Sequence, residues 1–423
     1  MKKIPRHLAI LAVVAIAFTL VALAGDTEKV LFNFQGASYG QFPQGFVRDT
    51  AGNLYGVLLT GGNPTCSTTC GVVYKVAPGA SGQMVETILH TFTNGNDGAQ
   101  PTSILMDANG NIFAGAHSGG VTSCYQGCGA IVELSPTNTG GWRTTVLYDF
   151  TGGPNGQKPV ITLIDPQGNL YGFENGGSYN QIFQLSPSTS GTWTHKTIYR
   201  FQGGTDGGDG FPAFMDVNGN IFGRATEGGN TACPGGCGLI FELSPGSSGT
   251  WTKTNLYSFA GPPDGALPWS IVPDGLGNIF GVTSYGGTGT DSHCQILSPK
   301  GCGTLFELSP SSGGGYTETV LHDFNYVLDG WDPIQLLMDS AGNIYVDASS
   351  GGVAGSGVVL EFTFNTSDGI WDYSILHSFA GGKGGGFPFQ LQLDSSDNVF
   401  GVGATGGGKG YGLLFELSPG ASR

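Results

Sequence analysis

The sequence predicts an all-β fold: a seven-bladed β-propeller of four-stranded blades, closed by the N-terminal strand pairing with the last blade. Three observations predict it. One turn motif recurs seven times, strand-like runs fill the intervals in sets of four, and a lone strand at the start answers a strand missing at the end.

The motif is an Asp, two variable residues, Gly and Asn, followed by an apolar and an aromatic residue. It begins at Asp49, Asp107, Asp165, Asp216, Asp274, Asp339 and Asp394, with spacings of 58, 58, 51, 58, 65 and 55 residues. A period of this size marks units that bury their faces against one another. Asp accepts backbone hydrogen bonds at the start of a turn, and Gly takes the left-handed conformation that a hairpin return needs. A calcium loop is the alternative reading of Asp-x-Asn-Gly-Asn, but the closing bidentate Glu is missing and every unit carries the pattern.

In the third unit the strand-like runs are 160–164, 169–173, 181–185 and 193–201, each short, rich in β-branched and aromatic residues and bounded by turn formers. No stretch has helical period over a useful length. Four strands in each of seven units is propeller arithmetic, and the coils of a parallel β-helix are much shorter than this repeat. The first run, 28–34, matches the fourth run of later units, whereas the chain ends on a third run, 412–417. Supplying the missing outer strand from the start would leave no unpaired blade.

Residues 1–24 read as a signal peptide. Lys2, Lys3 and Arg6 precede an apolar run over 8–22 and the small-residue site Ala22-Leu23-Ala24. The run is short for a retained membrane anchor, and no later stretch could span a membrane. Residues 25–423 then form one domain, secreted or periplasmic. Its formal charge falls from −15 to −18 on loss of the leader, so a nucleic-acid partner is not expected.

The eight cysteines fall in twos within one type of loop, between the second and third strands: Cys66/Cys70, Cys124/Cys128, Cys233/Cys237 and Cys294/Cys302. Units three, six and seven have neither member. Presence and absence as pairs predicts local disulfides, which an oxidising compartment would preserve. Zinc is the sharper alternative, but a Cys-x3-Cys spacing without a second pair nearby is a poor site, and no metal site or cofactor is expected.

These residues resemble the exported bacterial repeat proteins called choice-of-anchor GloVer-containing proteins. The resemblance rests on Gly-Asn-Leu-Tyr-Gly at 52–56 and 168–172, the double glycines Gly61-Gly62 and Gly286-Gly287, the Cys-Gly-x-x-x-Glu-Leu-Ser-Pro run over 237–245, and Trp-Thr-x-Thr over 251–254. It covers 28–419 and departs from the pattern at Asp397 and Val346, which stand where glycine is usual. It implies the fold and export, and no particular chemistry.

Residues that break the repeat are the site candidates. Trp142, Trp193, Trp251 and Trp371 share a column with Tyr316 and read as packing. Trp269 and Trp331 lack counterparts and are expected on loops of the disulfide-bearing face, exposed for stacking on a sugar or for a protein contact, with burial as the alternative. Just past the expected second strand, His117, Glu174, Arg224, Glu227 and Asp347 replace small or apolar residues. Glu174, Glu227 and Asp347 could serve as acid and base on a glycan, against the plainer reading of a solvated rim. Arg48 would enter the channel or pair with an acid. The string Gly36-Ala37-Ser38-Tyr39-Gly40 fits a nucleophile elbow but lacks the strand-to-helix context. His90, His322 and His377 share a column with Tyr148, Tyr199 and Tyr257 and read as packing. The expected function is a monomeric binding protein for a glycan or an extracellular protein, with Trp269, Trp331, Arg224, Arg48 and His117 as ligand contacts. The alternatives are a polysaccharide hydrolase or lyase and a structural cell-surface protein.

Overall fold

The computed structural model describes residues 28–66, 70–313 and 315–418, so the leader expected over 1–24 lies outside the described residues. Seven four-stranded antiparallel sheets form the ring of a seven-bladed β-propeller. The inner strands, which face one another around the axis, are β2 (Gln41–Arg48), β6 (Ala99–Met106), β10 (Gln157–Ile164), β14 (Gly208–Met215), β18 (Gly265–Pro273), β22 (Trp331–Met338) and β26 (Gly386–Leu393). Blades 1 to 7 are numbered from these strands. Blade 7 has the order β1-β28-β27-β26, in which β1 (Glu28–Asn33) pairs antiparallel with β28 (Leu413–Leu417).

Each anchor Asp organises the turn between its first two strands. Asp49 Oδ1 accepts from the backbone of Ala51 (3.0 Å) and Asn53 (2.8 Å), and Oδ2 accepts from Asn53 Nδ2 (2.7 Å). Asp107, Asp165, Asp216, Asp274, Asp339 and Asp394 repeat the arrangement. Burial alone would raise the Asp49 pKa, but the hydrogen bonds from Asn53, Tyr55 and Ala51 together outweigh it and hold the carboxyl below its ordinary value. Asp397, which replaces the turn glycine in blade 7, adopts φ +60°, the left-handed conformation the turn requires. Arg48 sits at this end of the ring, 3.6 Å from Asp394 and over the Phe400 ring, and so takes the acid-pairing option.

The second strand meets the third across a glycine. A Cβ at Gly56, Gly223, Gly281 or Gly401 would overlap the ring of Tyr74, Phe241, Phe306 or Phe415, the residue directly opposite. Where the second strand carries Ala114 or Val346 instead, its partner is Val132 or Leu360. The departure at Val346 is therefore matched by a smaller neighbour, as close packing demands. Blades meet through a second recurring contact. Trp142, Trp193, Trp251 and Trp371 each lie edge-on to an aromatic of the preceding blade, Tyr55, Phe113, Tyr171 and Phe280, at 5.9–6.3 Å.

Two residues further along the outer strand, polar side chains bridge adjoining blades. Thr144 Oγ1 lies 3.2 Å from His90 Nδ1, and Lys253 Nζ lies 3.2 Å from Asp206 Oδ1. Glu86, on β5 (Met84–Thr91), occupies the same column, but the blade behind it presents Phe32 where other blades present His or Tyr. Both Glu86 oxygens are buried without a partner, and desolvation pushes its pKa up to about 7.

Three outcomes test this packing. Gly223→Val should cost about 2–3 kcal/mol, and adding Phe241→Leu should restore part of that loss; additive effects in denaturant melts would refute the steric pairing. Deleting 28–34 removes the β1 ladder and the fully buried Phe34, and should lower stability by about 3–5 kcal/mol; an unchanged melting temperature would show that β1 does not hold the ring. Because the folded Glu86 pKa is raised, its ionisation destabilises the fold as pH climbs from about 4.5 to 7. Glu86→Gln should match the parent at pH 4 and exceed it by about 1–2 kcal/mol at pH 8.

Candidate functional site

The loops joining second to third strands share one end of the ring with the loops joining blades, and this end carries the cysteines. All four pairs are disulfides: Cys66–Cys70, Cys124–Cys128, Cys233–Cys237 and Cys294–Cys302. Two of them pack beneath the following interblade loop. A Cβ at Gly152 would sit 2.6 Å from Cys124 Sγ, and one at Gly261 would sit 2.9 Å from Cys233 Sγ. In the three blades without cysteines, Tyr179, Ser356 and Tyr411 fill this position against Gly203, Gly381 and Gly36.

The same loops hold the next inner strand. The backbone N–H groups of Gln100, Lys158 and Leu267 donate to the carbonyls of Cys70 (2.7 Å), Cys128 (2.7 Å) and Cys237 (2.8 Å), and Phe387 donates to Ser356 (2.8 Å). Each donor has positive φ, and the feature extends to all seven blades: Phe42, Gln100, Lys158, Asp209, Leu267, Asp332 and Phe387 have φ between 51° and 60°. This ring at the start of the inner strands was missed in the sequence, although its signal is there. Every member stands seven residues before an anchor Asp and two after a glycine. Gln100 accepts from Ser118 Oγ (2.8 Å) and Asp332 from Ser349 Oγ (3.1 Å), whereas Phe42 and Phe387 are exposed, at the same register on the neighbouring inner strands of blades 1 and 7.

Below the ring, the central channel encloses a cavity of about 340 Å³ lined by Arg224, Phe211, Trp269, Gln335, Phe389 and Gln390, among others. Trp269 lies on β18, not in a loop, at the extra residue between Pro268 and Ser270 where the register shifts. Its column holds Gln44, Thr102, Val160, Phe211, Ile334 and Phe389, so it has counterparts. It is 42% exposed. Trp331 opens β22 and is half-buried, 6.3 Å from both Tyr285 and Tyr326. The two tryptophans are therefore strand residues, one in the channel and one in the packing between blades.

The carboxylates expected together on a solvated rim lie apart. Glu174, on β11 (Leu170–Asn175), is fully buried and accepts from Gln181 Nε2 (2.6 Å), with His195 Nε2 at 3.0 Å. Burial raises its pKa against the opposing pull of His195. Asp347, on β23 (Ile344–Ser350), is also fully buried. Its Oδ1 accepts from Gln335 N (2.8 Å), Oδ2 has no partner, and desolvation lifts its pKa well above the ordinary value. Glu227 is exposed at the end of β15 (Ile221–Glu227). An acid–base pair on a glycan needs both groups at one cleft, and these three carboxylates do not share one. His117 is half-buried on β7 (Ile112–Ser118), its pKa lowered by burial and by the charge of Lys158. The elbow string 36–40 forms a short 3-10 turn of a type repeated at 153–155, 204–206 and 382–384.

Arg224 is the outlier of the channel wall. It shares a column with Val57, Gly115, Phe173, Val282, Asp347 and Val402. Its guanidinium lies 4.1 Å from the Phe211 ring centroid and 4.5 Å from that of Trp269, and buried Nη1 has no hydrogen-bond partner among the described residues. Desolvation brings its pKa down to about 9.

A streptogramin B lyase structure shares the fold, with a TM-score of 0.54 at 12% identity over 94% of this chain and 99% of that one. The virginiamycin B lyase of Staphylococcus aureus gives 0.50 at 12% identity over 93% and 98%. At such identity the likeness concerns architecture alone. No curated protein matches in sequence. Residues 15–233, just over half of the chain, match the Gloeobacter/Verrucomicrobia repeat.

Proposed function

Since the chain belongs to the Gloeobacter/Verrucomicrobia repeat family, we propose that it is an exported propeller that binds a glycan at the disulfide-bearing end of its channel. The basic and apolar start of the sequence and the four disulfides support export to an oxidising compartment. Among the described residues no helix is long and apolar enough to cross a membrane.

The observation that carries the binding reading is the ring of seven side chains at positive φ. Left-handed backbone costs a residue with a Cβ about 1 kcal/mol, and glycine avoids the cost. The chain has 76 glycines and places one two residues earlier in every blade, yet none in this ring. Strain kept where glycine would relieve it is characteristic of positions whose side chains act. Phe42 and Phe387 offer aromatic faces at the mouth and Trp269 offers another within, which suits the apolar faces of sugar rings.

Glycan-array binding followed by calorimetry on the hits tests this. Replacing Phe42 and Phe387 together by Gly should leave stability equal or slightly higher and weaken binding at least tenfold, about 1.4 kcal/mol. Unchanged affinity in the double variant would remove the mouth from the site. A loss of stability would make the two rings packing residues.

A further inference from the structure

We infer that the channel contains a carboxylate subsite, built by Arg224 between Phe211 and Trp269, that takes a hexuronate residue of an acidic glycan. The inference rests on the glycan reading above and adds the class of sugar.

Three observations carry it. First, the repeat does not require Arg224, since the other blades fill its column with Val, Gly, Phe or Asp. Second, the guanidinium is flanked by the Phe211 and Trp269 rings at 4.1 and 4.5 Å, and its N–H bonds lie in its own plane, so its edge is what remains for a partner. Third, that partner is missing: Arg224 is 7% exposed, Nη1 is buried and unbonded, and among the described residues the guanidinium forms no ion pair. A buried, unpaired cation is unfavourable until an oxyanion arrives.

The cavity's chemistry narrows the ligand. Its volume of about 340 Å³ is at the small end of ligand sites. Trp269 is 42% exposed, leaving indole surface for a pyranose ring, and Gln390, two blades away on the wall of the same cavity, is exposed for hydroxyl groups. A planar carboxylate of single charge matches one guanidinium edge. A phosphate would bring a second charge into a lining in which Arg224 is the one cationic side chain. The chain's net charge of −15 gives an acidic polymer no general attraction, so preference for it must come from this one fork.

Calorimetry with oligogalacturonate, its methyl ester and a neutral oligosaccharide, on the parent and on Arg224→Met, Arg224→Lys and Trp269→Ala, tests the proposal. The parent should bind the acid at least tenfold more tightly than the ester. Arg224→Met should erase that difference without lowering the melting temperature, because it removes a buried charge that lacks a partner, and Arg224→Lys should lose most of the preference. Trp269→Ala should weaken acid and ester alike. Equal binding of acid and ester by the parent, or neutral binding that depends on Trp269 and not on Arg224, overturns the carboxylate subsite and leaves the glycan reading standing. Binding of none of the three sugars overturns both. A clear fall in the melting temperature of Arg224→Met would show that the arginine serves packing, and would also overturn the subsite.

Discussion

A blade of this protein has two apolar faces, and each must be covered by a neighbour of the same kind. That constraint forces a ring, and it places the most regular residues of the sequence between blades. The tryptophan of one outer strand lies edge-on to the second-strand aromatic of the preceding blade. In blades 1, 2, 3, 5 and 7 the inner strand hangs by a backbone hydrogen bond from the loop of the blade before it. Neither contact can form in an isolated unit, so stability belongs to neighbours in series and not to any single blade.

Within that frame the disulfides act as one means of filling a recurring position. Four blades carry a local bridge, which in two of them lies directly against the loop that follows, and in the other three blades a tyrosine or a serine takes that place. A four-residue bridge removes little chain entropy. Its second contribution is to steady the carbonyl that the next inner strand uses, as at Cys70, Cys128 and Cys237. The backbone of Tyr411 faces Phe42 at a longer 3.4 Å.

Repeat position was legible in the sequence and side-chain direction was not. The Asp anchor, the four strands per unit and the cysteine pairing all depend on local chemistry that spacing reveals. Glu174 and Asp347 looked like neighbours on one rim because both lie near the end of a second strand. They stand one position apart in the repeat, however, and successive side chains of a strand point to opposite faces. Trp269 looked unique because the bulge position it occupies holds a different type of residue, from Gln and Thr to Val, Ile and Phe, in the other blades. The ring at positive φ escaped notice for a different reason. Its seven residues share a backbone conformation and no chemical property, and a search for like residues passes over them.

That ring separates two burdens that proteins often load on the same residue. Every blade bears the same positive φ there whichever side chain is present, and in five of the seven the position donates its backbone N–H to a main-chain carbonyl in the loop of the preceding blade. Substitution at such a position leaves the architecture's grammar alone and changes only a word. A lineage could rewrite the mouth one blade at a time, passing through folded intermediates at each step, and arrive at a new ligand on an old scaffold. Divergence among relatives should then concentrate at one position per repeat, in phase with the anchor and out of step with the core.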